Sequence, residues 1–168
     1  MNKVILICGK MCSGKTTYAK SLIKLSPTVL LSIDEVTRIF CDSKSSGVAY
    51  WEVYNKTQIF LLNKSLEIIE SGVDVILDWG FWKQADRQEA MLFYKQNNVL
   101  FEWHYVDASN DILLKNLTKR NQEIETDRQS SSYHFSEEVA IKFWNEKFEP
   151  PDKNEIDVWY VNRIMSFI

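Results

Sequence analysis

Cysteine, surplus positive charge and long apolar runs are all scarce in this sequence, and each scarcity excludes something. There are three cysteines, Cys8, Cys12 and Cys41, an odd number without a Cys-x-x-Cys pair. That argues against a disulfide scaffold and for free thiols in a reducing compartment. Lys and Arg number 20 against 23 Asp and Glu, for a net charge of −3. A general nucleic-acid binder needs a basic face to displace counterions from phosphates, so nucleic acid is not the expected partner. The opening run Val4-Ile5-Leu6-Ile7-Cys8 is closed at once by Gly9 and is too short for a signal-peptide core or a membrane span. No internal repeat is present. The expectation is a soluble, cytoplasmic chain with no membrane partner.

What is present suffices for one core. A chain of 168 residues is one domain's worth, and folding at that length buries roughly 70% of the extended-chain surface. With 45% hydrophobic and 13% aromatic residues, the apolar material is there. Val4 to Cys8 is continuous rather than alternating, as in a central parallel strand covered on both faces. Residues 14–25 read as a helix, with Tyr18, Leu22 and Leu25 at near-helical spacing, stopped by Ser26-Pro27. Val29 to Ile33 is a second strand ending at an acid, Asp34; a short helix follows from Glu35 to Phe40, then a Ser/Gly-rich loop over 42–47. A long helix over 50–71 carries Ile59, Leu62, Leu66 and Ile69 on one face and stops at Gly72. Its apolar stripe is explained by packing on the sheet, and the chain is expected to be a monomer or a homodimer.

The third strand, Val73 to Asp78, again ends in an acid; a helix over 84–97 and a fourth strand, Val99 to Val106, come next. Ser109 caps a helix running to about Arg120, and Asn121 to Phe135 is polar and uncommitted. Ser136 restarts a helix through Phe148, Pro150-Pro151 ends it, and Ile156 to Val161 is the fifth strand. The alternation predicts a single α/β domain with helices layered on a parallel sheet.

Gly9-Lys10-Met11-Cys12-Ser13-Gly14-Lys15-Thr16 matches GxxxxGK(S/T) at every fixed position, between a strand and a helix. The glycines let backbone N–H groups converge on phosphates, and the helix starting near Gly14 aims its positive end at the same anion. The phosphate site is therefore Gly9 through Thr17: Gly9, Lys10, Met11, Cys12, Ser13, Gly14, Lys15, Thr16 and Thr17. Lys15 bridges the β/γ oxygens and the Thr16 hydroxyl takes one Mg²⁺ position. An ordinary glycine turn is the competing explanation, and the flanking elements weigh against it. Cys12 reads as a small uncharged filler rather than a redox centre.

A GTPase needs NKxD. The two Asn-Lys pairs continue as Asn55-Lys56-Thr57-Gln58 and Asn63-Lys64-Ser65-Leu66, without the aspartate. Ring-forming ATPases need more chain; a kinase fits. It requires an acid at the attacking hydroxyl, cations on the transferring phosphoryl and a cover against water. Asp34, at the carboxyl end of its strand, is the candidate base, with Arg38 one helical turn on as a substrate clamp; capping of the following helix is the competing job for Ser32-Ile33-Asp34. Asp78 follows the Walker B pattern, holding Mg²⁺ through water or lining the acceptor site. Arg120 and Arg128 flank the polar segment over about 121–135, which makes a short lid, and can pair with phosphate oxygens as it closes. Trp79 and Trp82 are candidate walls of an acceptor pocket, with Tyr50, Trp51 and Tyr54 as a possible opposite wall or as core.

In these residues the chain resembles the small P-loop kinases of the AAA-type ATP-binding domain group, which include chloramphenicol phosphotransferase, zeta toxins and polynucleotide kinase domains. The resemblance runs over nearly the whole chain, through Gly9 to Thr16, Ser32-Ile33-Asp34 with Arg38, Asp78-Trp79-Gly80-Phe81 with Arg87, Lys119-Arg120-Asn121, and Phe148-Glu149-Pro150-Pro151. It implies a five-stranded sheet in the order 2-3-1-4-5, ATP with Mg²⁺, Asp34 as base, and lid arginines at Arg120 and Arg128. The expected function is ATP-dependent phosphoryl transfer to a hydroxyl of a small molecule. A nucleoside or nucleotide kinase, a regulatory ATPase without acceptor, and a polynucleotide 5′-hydroxyl kinase are the alternatives, the last disfavoured because Arg38 and Lys44 are the only cations near Asp34 in sequence.

Overall fold

The sheet sets the frame for everything else. The computed structural model describes residues 2–24, 26–41, 48–126 and 134–163. In chain order these form β1 (Lys3–Cys8), α1 (Lys15–Ile23), β2 (Thr28–Ser32), α2 (Ile33–Phe40), α3 (Val48–Glu70), β3 (Asp74–Gly80), α4 (Gln84–Gln96), β4 (Leu100–Ala108), α5 (Asn110–Thr126), α6 (Glu137–Glu146) and β5 (Val158–Asn162). The strands lie in the order β2-β3-β1-β4-β5, all neighbours parallel. The expected doubly covered α/β sheet is thus the observed one.

Because side chains alternate along a strand, the continuous apolar run of β1 feeds two cores at once. Val4, Leu6 and Cys8 pack with Val75, Leu77 and Trp79 of β3 and with Leu61, Ala90 and Tyr94, so α3 and α4 cover that face. Ile5 and Ile7 pack with Ile76, Val106 and Ala19, beneath α1. A third cluster, Met11, Leu113, Leu117, Ala140 and Trp144, draws α5 and α6 onto the segment that follows β1. On the α1 face a polar seam is fully partnered: Tyr18 Oη lies 2.8 Å from His104 Nδ1 and stacks on Tyr160, while Lys3 Nζ donates to Glu102 at 2.7 Å.

The pairing of β1 with β3 slips near its end. Ile7 faces Asp78, but Cys8 faces Gly80, so Trp79 is an extra residue in the ladder. This bulge lets Gly80 O accept from Gly9 N at 3.0 Å and leaves Asp78 on the α1 face, at the carboxyl edge where parallel sheets bind ligands.

Several boundaries differ from the sequence expectation. β2 ends at Ser32, and Ile33 and Asp34 already belong to α2: Ser32 Oγ accepts from Glu35 N at 3.4 Å, and the two acids of the first turn sit well at the positive helix end. α5 continues past Arg120 to Thr126, since nothing between them breaks a helix. The expected lid over 121–135 therefore begins as helix, and 127–133 lie outside the described residues, as does the loop over 42–47. α6 stops at Glu146, and a 3₁₀ turn at Lys153–Glu155 delays β5 to Val158. On α3, Leu62, Leu66 and Ile69 of the expected face pack on the core beside the buried Leu61 and Ser65, but Ile59 is 61% exposed. No described helix is long and apolar enough to cross a membrane.

Candidate active site

The Gly9–Thr16 loop is shaped by close approaches that a side chain would block. A Cβ at Gly9, whose φ is +150°, would stand 2.7 Å from Val106 O; at Gly14, with φ +97°, it would stand 2.7 Å from Asn162 Nδ2. Three side chains from three later elements then hold three consecutive loop carbonyls. Trp144 Nε1 of α6 donates to Met11 O at 3.0 Å, Asn116 Nδ2 of α5 to Cys12 O at 2.9 Å, and Asn162 Nδ2 of β5 to Ser13 O at 2.9 Å. In a trans peptide C=O and N–H point oppositely, so the clamps on Met11 O and Ser13 O turn the N–H groups of Cys12 and Gly14 away from the clamping side chains, while the N–H of Ser13 donates to Lys10 O at 3.1 Å. Cys12 itself has φ +66°, a strained value for a side-chain-bearing residue that the clamps hold in place.

Lys15 Nζ donates to Gly9 O at 3.1 Å and Lys10 O at 2.9 Å. Surrounding protein lowers its pKa, and the charges of Asp78 and Asp34 pull it back up. Thr16 Oγ1 donates to Asp78 Oδ2 at 2.6 Å, joining the loop to the end of β3; Asp78 is 6% exposed. This hydroxyl and carboxylate are hard oxygen donors of the kind Mg²⁺ takes together with water and phosphate oxygens, so the residues present fit that ion.

Asp34, on the first turn of α2, keeps access to solvent. Yet the walls around it are dense enough to raise its pKa, chiefly by desolvation and then through Asp78, against the opposing charges of Lys15, Arg120 and Arg38. Two carboxylates, one lysine and two arginines therefore share one electrostatic neighbourhood. Arg120 leans on the loop, its Nη1 3.9 Å from Cys12 Sγ and its guanidinium 5.7 Å above the Phe135 ring, while its buried Nε has no partner. Cys8, just before the loop, is buried and its thiol is pushed up to about 12, so it stays protonated.

The two tryptophans part company. Trp79 is 7% exposed, stacks on Phe81 at 5.4 Å and donates from Nε1 to Leu31 O at 3.2 Å, so its ring belongs to the core instead of a pocket wall. Trp82 is half-buried against Phe143 and lies over Gly80, where an added Cβ would be 2.7 Å from Trp82 Nε1 and 3.6 Å from Lys15 Cε; this ring borders the site. Arg87, 4% exposed, fixes that aromatic turn by donating to Phe81 O, Glu149 O and Glu155. Arg128 lies outside the described residues. Sequence reasoning missed Asn116, Trp144 and Asn162. For Asn116 a signal existed, since it precedes Arg120 by one helical turn and shares its face.

No curated protein sequence matches the chain, but solved structures do. A candidate kinase from Chloroflexus aurantiacus matches with a TM-score of 0.73 at 16% identity, over 95% of this chain and 86% of its own. Kti12 of Chaetomium thermophilum, solved with ADP-AlF3, gives 0.67 at 16% identity over 95% and 88%. The APS kinase CysC of Mycobacterium tuberculosis, solved with AMPPNP and APS, gives 0.64 at 14% identity over 95% and 88%. Identities this low speak for the fold alone. The AAA domain family matches residues 4–150, from β1 to the proline pair after α6; with the phosphate loop at Gly9–Thr16, the Thr16–Asp78 pair and the strand order in place, the chain belongs to this AAA domain family.

Proposed function

We propose that this chain is an ATP-dependent phosphotransferase that moves the γ-phosphoryl group to a hydroxyl of a small molecule. The observation that carries the proposal is the shared neighbourhood of Asp34 with Lys15, Arg120 and Asp78: a base that retains access to solvent beside the cations of a phosphate loop. A loop built only to bind nucleotide has no use for such a carboxylate.

The phosphates of ATP lie along Gly9 to Thr17, with Lys15 on the β/γ oxygens. Thr16, and Asp78 behind it, would hold Mg²⁺, which would supply charge neutralisation on the phosphates. Asp34 accepts the proton of the acceptor hydroxyl; that oxygen bonds to the γ-phosphorus as the bond to the β,γ-bridging oxygen breaks, and ADP leaves. A raised pKa brings Asp34 closer to working pH and makes it a better proton acceptor than an ordinary surface carboxylate. Arg120 reaches the transferring group from α5, and Trp82 closes the cleft beside Lys15. Binding energy is spent on position and charge, as phosphoryl transfer requires.

The test is ATP consumption over a panel of hydroxylated metabolites. Acceptor-dependent ADP release, with the label of γ-labelled ATP recovered on the acceptor, supports the proposal. One slow hydrolysis rate, unchanged whatever is added, identifies a regulatory ATPase and refutes it. Lys15→Ala weakens both ATP binding and turnover.

A further inference from the structure

The far edge of the sheet carries a surface that the candidate site does not use. β5 is the last strand in the order β2-β3-β1-β4-β5, so among the described residues it pairs with β4 alone. Its first four residues, Val158, Trp159, Tyr160 and Val161, are all large and apolar or aromatic, and each is 37–44% exposed. Edge strands are ordinarily guarded against pairing by a lysine, a proline, a bulge or a cover. Val158 to Asn162 holds no charge and no proline, and its register with β4 runs unbroken from His104–Val158 to Ala108–Asn162. At the opposite edge β2 exposes only Val29 to a comparable degree.

The strand is also held extended. Tyr160 stacks on Tyr18 of α1, Trp159 meets Tyr105 edge-on and donates from Nε1 to Asp107 at 3.2 Å, and Asn162 reaches Ser13 O. An edge fixed in this way loses little entropy when another strand is laid on it. The direction of its outer backbone groups follows from β4. Trp103 N donates to Asp157 Oδ2 at 2.7 Å and Trp103 O accepts from Asp157 N at 2.9 Å, so the odd-numbered residues of β4 turn towards β5. In a parallel ladder the register partner of such a residue turns its own N–H and C=O away. Tyr105 faces Trp159 and Asp107 faces Val161, which leaves the backbone groups of Trp159 and Val161 pointing outward.

We propose that β5 pairs antiparallel with β5 of a second copy of this chain, about a two-fold axis through Tyr160. The axis sets Trp159 opposite the partner's Val161, where the two exchange N–H···O=C bonds, and repeats the exchange on the other side of Tyr160. On the same face it sets Asp157 opposite the partner's Arg163, and both side chains are exposed. Asp157 engages Trp103 N through Oδ2, and its other oxygen meets the arginine. Each apolar Trp159–Val161 pair is thus flanked by an acid against a base. Moving the axis to Trp159 sets Asp157 against valine, and moving it to Val161 sets Arg163 against tryptophan, so charge selects Tyr160. The contact is isologous and ends at two copies. A strand this short makes a small interface, and the dissociation constant is expected on the order of 10 µM. The pairing stands whether or not the phosphotransferase reading holds.

Sedimentation of the whole chain at rising concentration tests it, with wild type, Val161→Lys and Arg163→Glu. The expected result is a monomer–dimer equilibrium in wild type, weakened by salt, and a dissociation constant raised roughly tenfold in each variant; one places a lysine on the edge and the other sets acid against acid. Both positions are exposed, so the fold stays intact, which melting curves at low concentration check. Cysteine substitution reads the axis. Opposed residues of a non-hydrogen-bonded antiparallel pair have Cα atoms about 4.5 Å apart, within disulfide reach. Tyr160→Cys is therefore expected to join two chains on oxidation with glutathione disulfide, whereas wild type and Val158→Cys, which faces the partner's Asn162, do not. A chain that stays monomeric, assembly beyond two copies, a dimer unmoved by Val161→Lys and Arg163→Glu, or cross-linking by Val158→Cys in place of Tyr160→Cys overturns the proposal.

Discussion

Replacing Trp144 by Phe removes one N–H and little else, and so isolates the clamp on the phosphate loop. In the native chain that N–H reaches Met11 O at 3.0 Å inside a cluster where Trp144 is 4% and Met11 8% exposed. Water has no ready route to replace it. A buried carbonyl left unpaired costs about 1–3 kcal/mol, and the smaller ring leaves a void worth about 1 kcal/mol more. The sum is about 2–4 kcal/mol, which for a chain of this size lowers Tm by roughly 6–12 °C at about 3 °C per kcal/mol. If the loop instead rotates to rescue the carbonyl, part of that cost moves into ATP binding, where each 1.4 kcal/mol or so is about tenfold in affinity. Thermal unfolding with and without ATP and Mg²⁺, paired with a calorimetric titration, separates the two shares. A Tm within a degree of wild type together with unchanged ATP affinity would refute the idea that Trp144 holds the loop.

Thr16→Val keeps the shape of the side chain but removes its bond to Asp78, and is expected to weaken Mg²⁺-dependent ATP binding roughly 10–100-fold, read as a rise in the Mg²⁺ needed for half-maximal turnover. Arg87→Met leaves the carbonyls of Phe81 and Glu149 unpaired and Glu155 Oε2 without its arginine, while Gln84 Nε2 still donates to Glu155 Oε1; the cost is roughly 2–3 kcal/mol, short of a fully buried pair because Glu155 keeps that bond and some water, and denaturant unfolding measures it. The raised pKa of Asp34 sets a pH dependence of defined sign. A carboxyl whose pKa is higher folded than unfolded opposes folding once it ionises, so its destabilising effect is absent below the unfolded value and grows as pH rises through the folded one. Asp34→Asn is therefore expected to raise Tm at neutral pH by more than it does below pH 4. A variant equally stable at both pH values would argue against a desolvated, Asp78-facing carboxylate.

The elements proposed to carry the chemistry are legible in the sequence because their signals are local. A continuous apolar run, a glycine-framed octapeptide and two strands ending in acids are enough to place β1, the phosphate loop, Asp78 and, within two residues, Asp34. What sequence does not carry is which later side chain comes back to which carbonyl. Asn116, Trp144 and Asn162 lie more than a hundred residues from the loop atoms they hold, and their residue types occur on any helix face or strand end. Trp79 and Trp82 show the same limit at close range. The bulge at Trp79 decides which ring enters the core and which borders Lys15, and no residue type announces a bulge there. The exposure of Ile59 has a similar origin, since rotation of α3 is set by Leu61 and Ser65 against the sheet and Tyr94.

The account rests on Asp34 as the group that receives the acceptor's proton, and one measurement bears on it most directly. Transfer of label from γ-labelled ATP to an accepted hydroxyl compound is followed in wild type and Asp34→Asn, with ATP affinity measured on the same samples. ATP affinity is expected to stay within about twofold and transfer to fall by roughly 10²–10⁴-fold, the range for removal of a general base. Transfer at the wild-type rate by Asp34→Asn would contradict it.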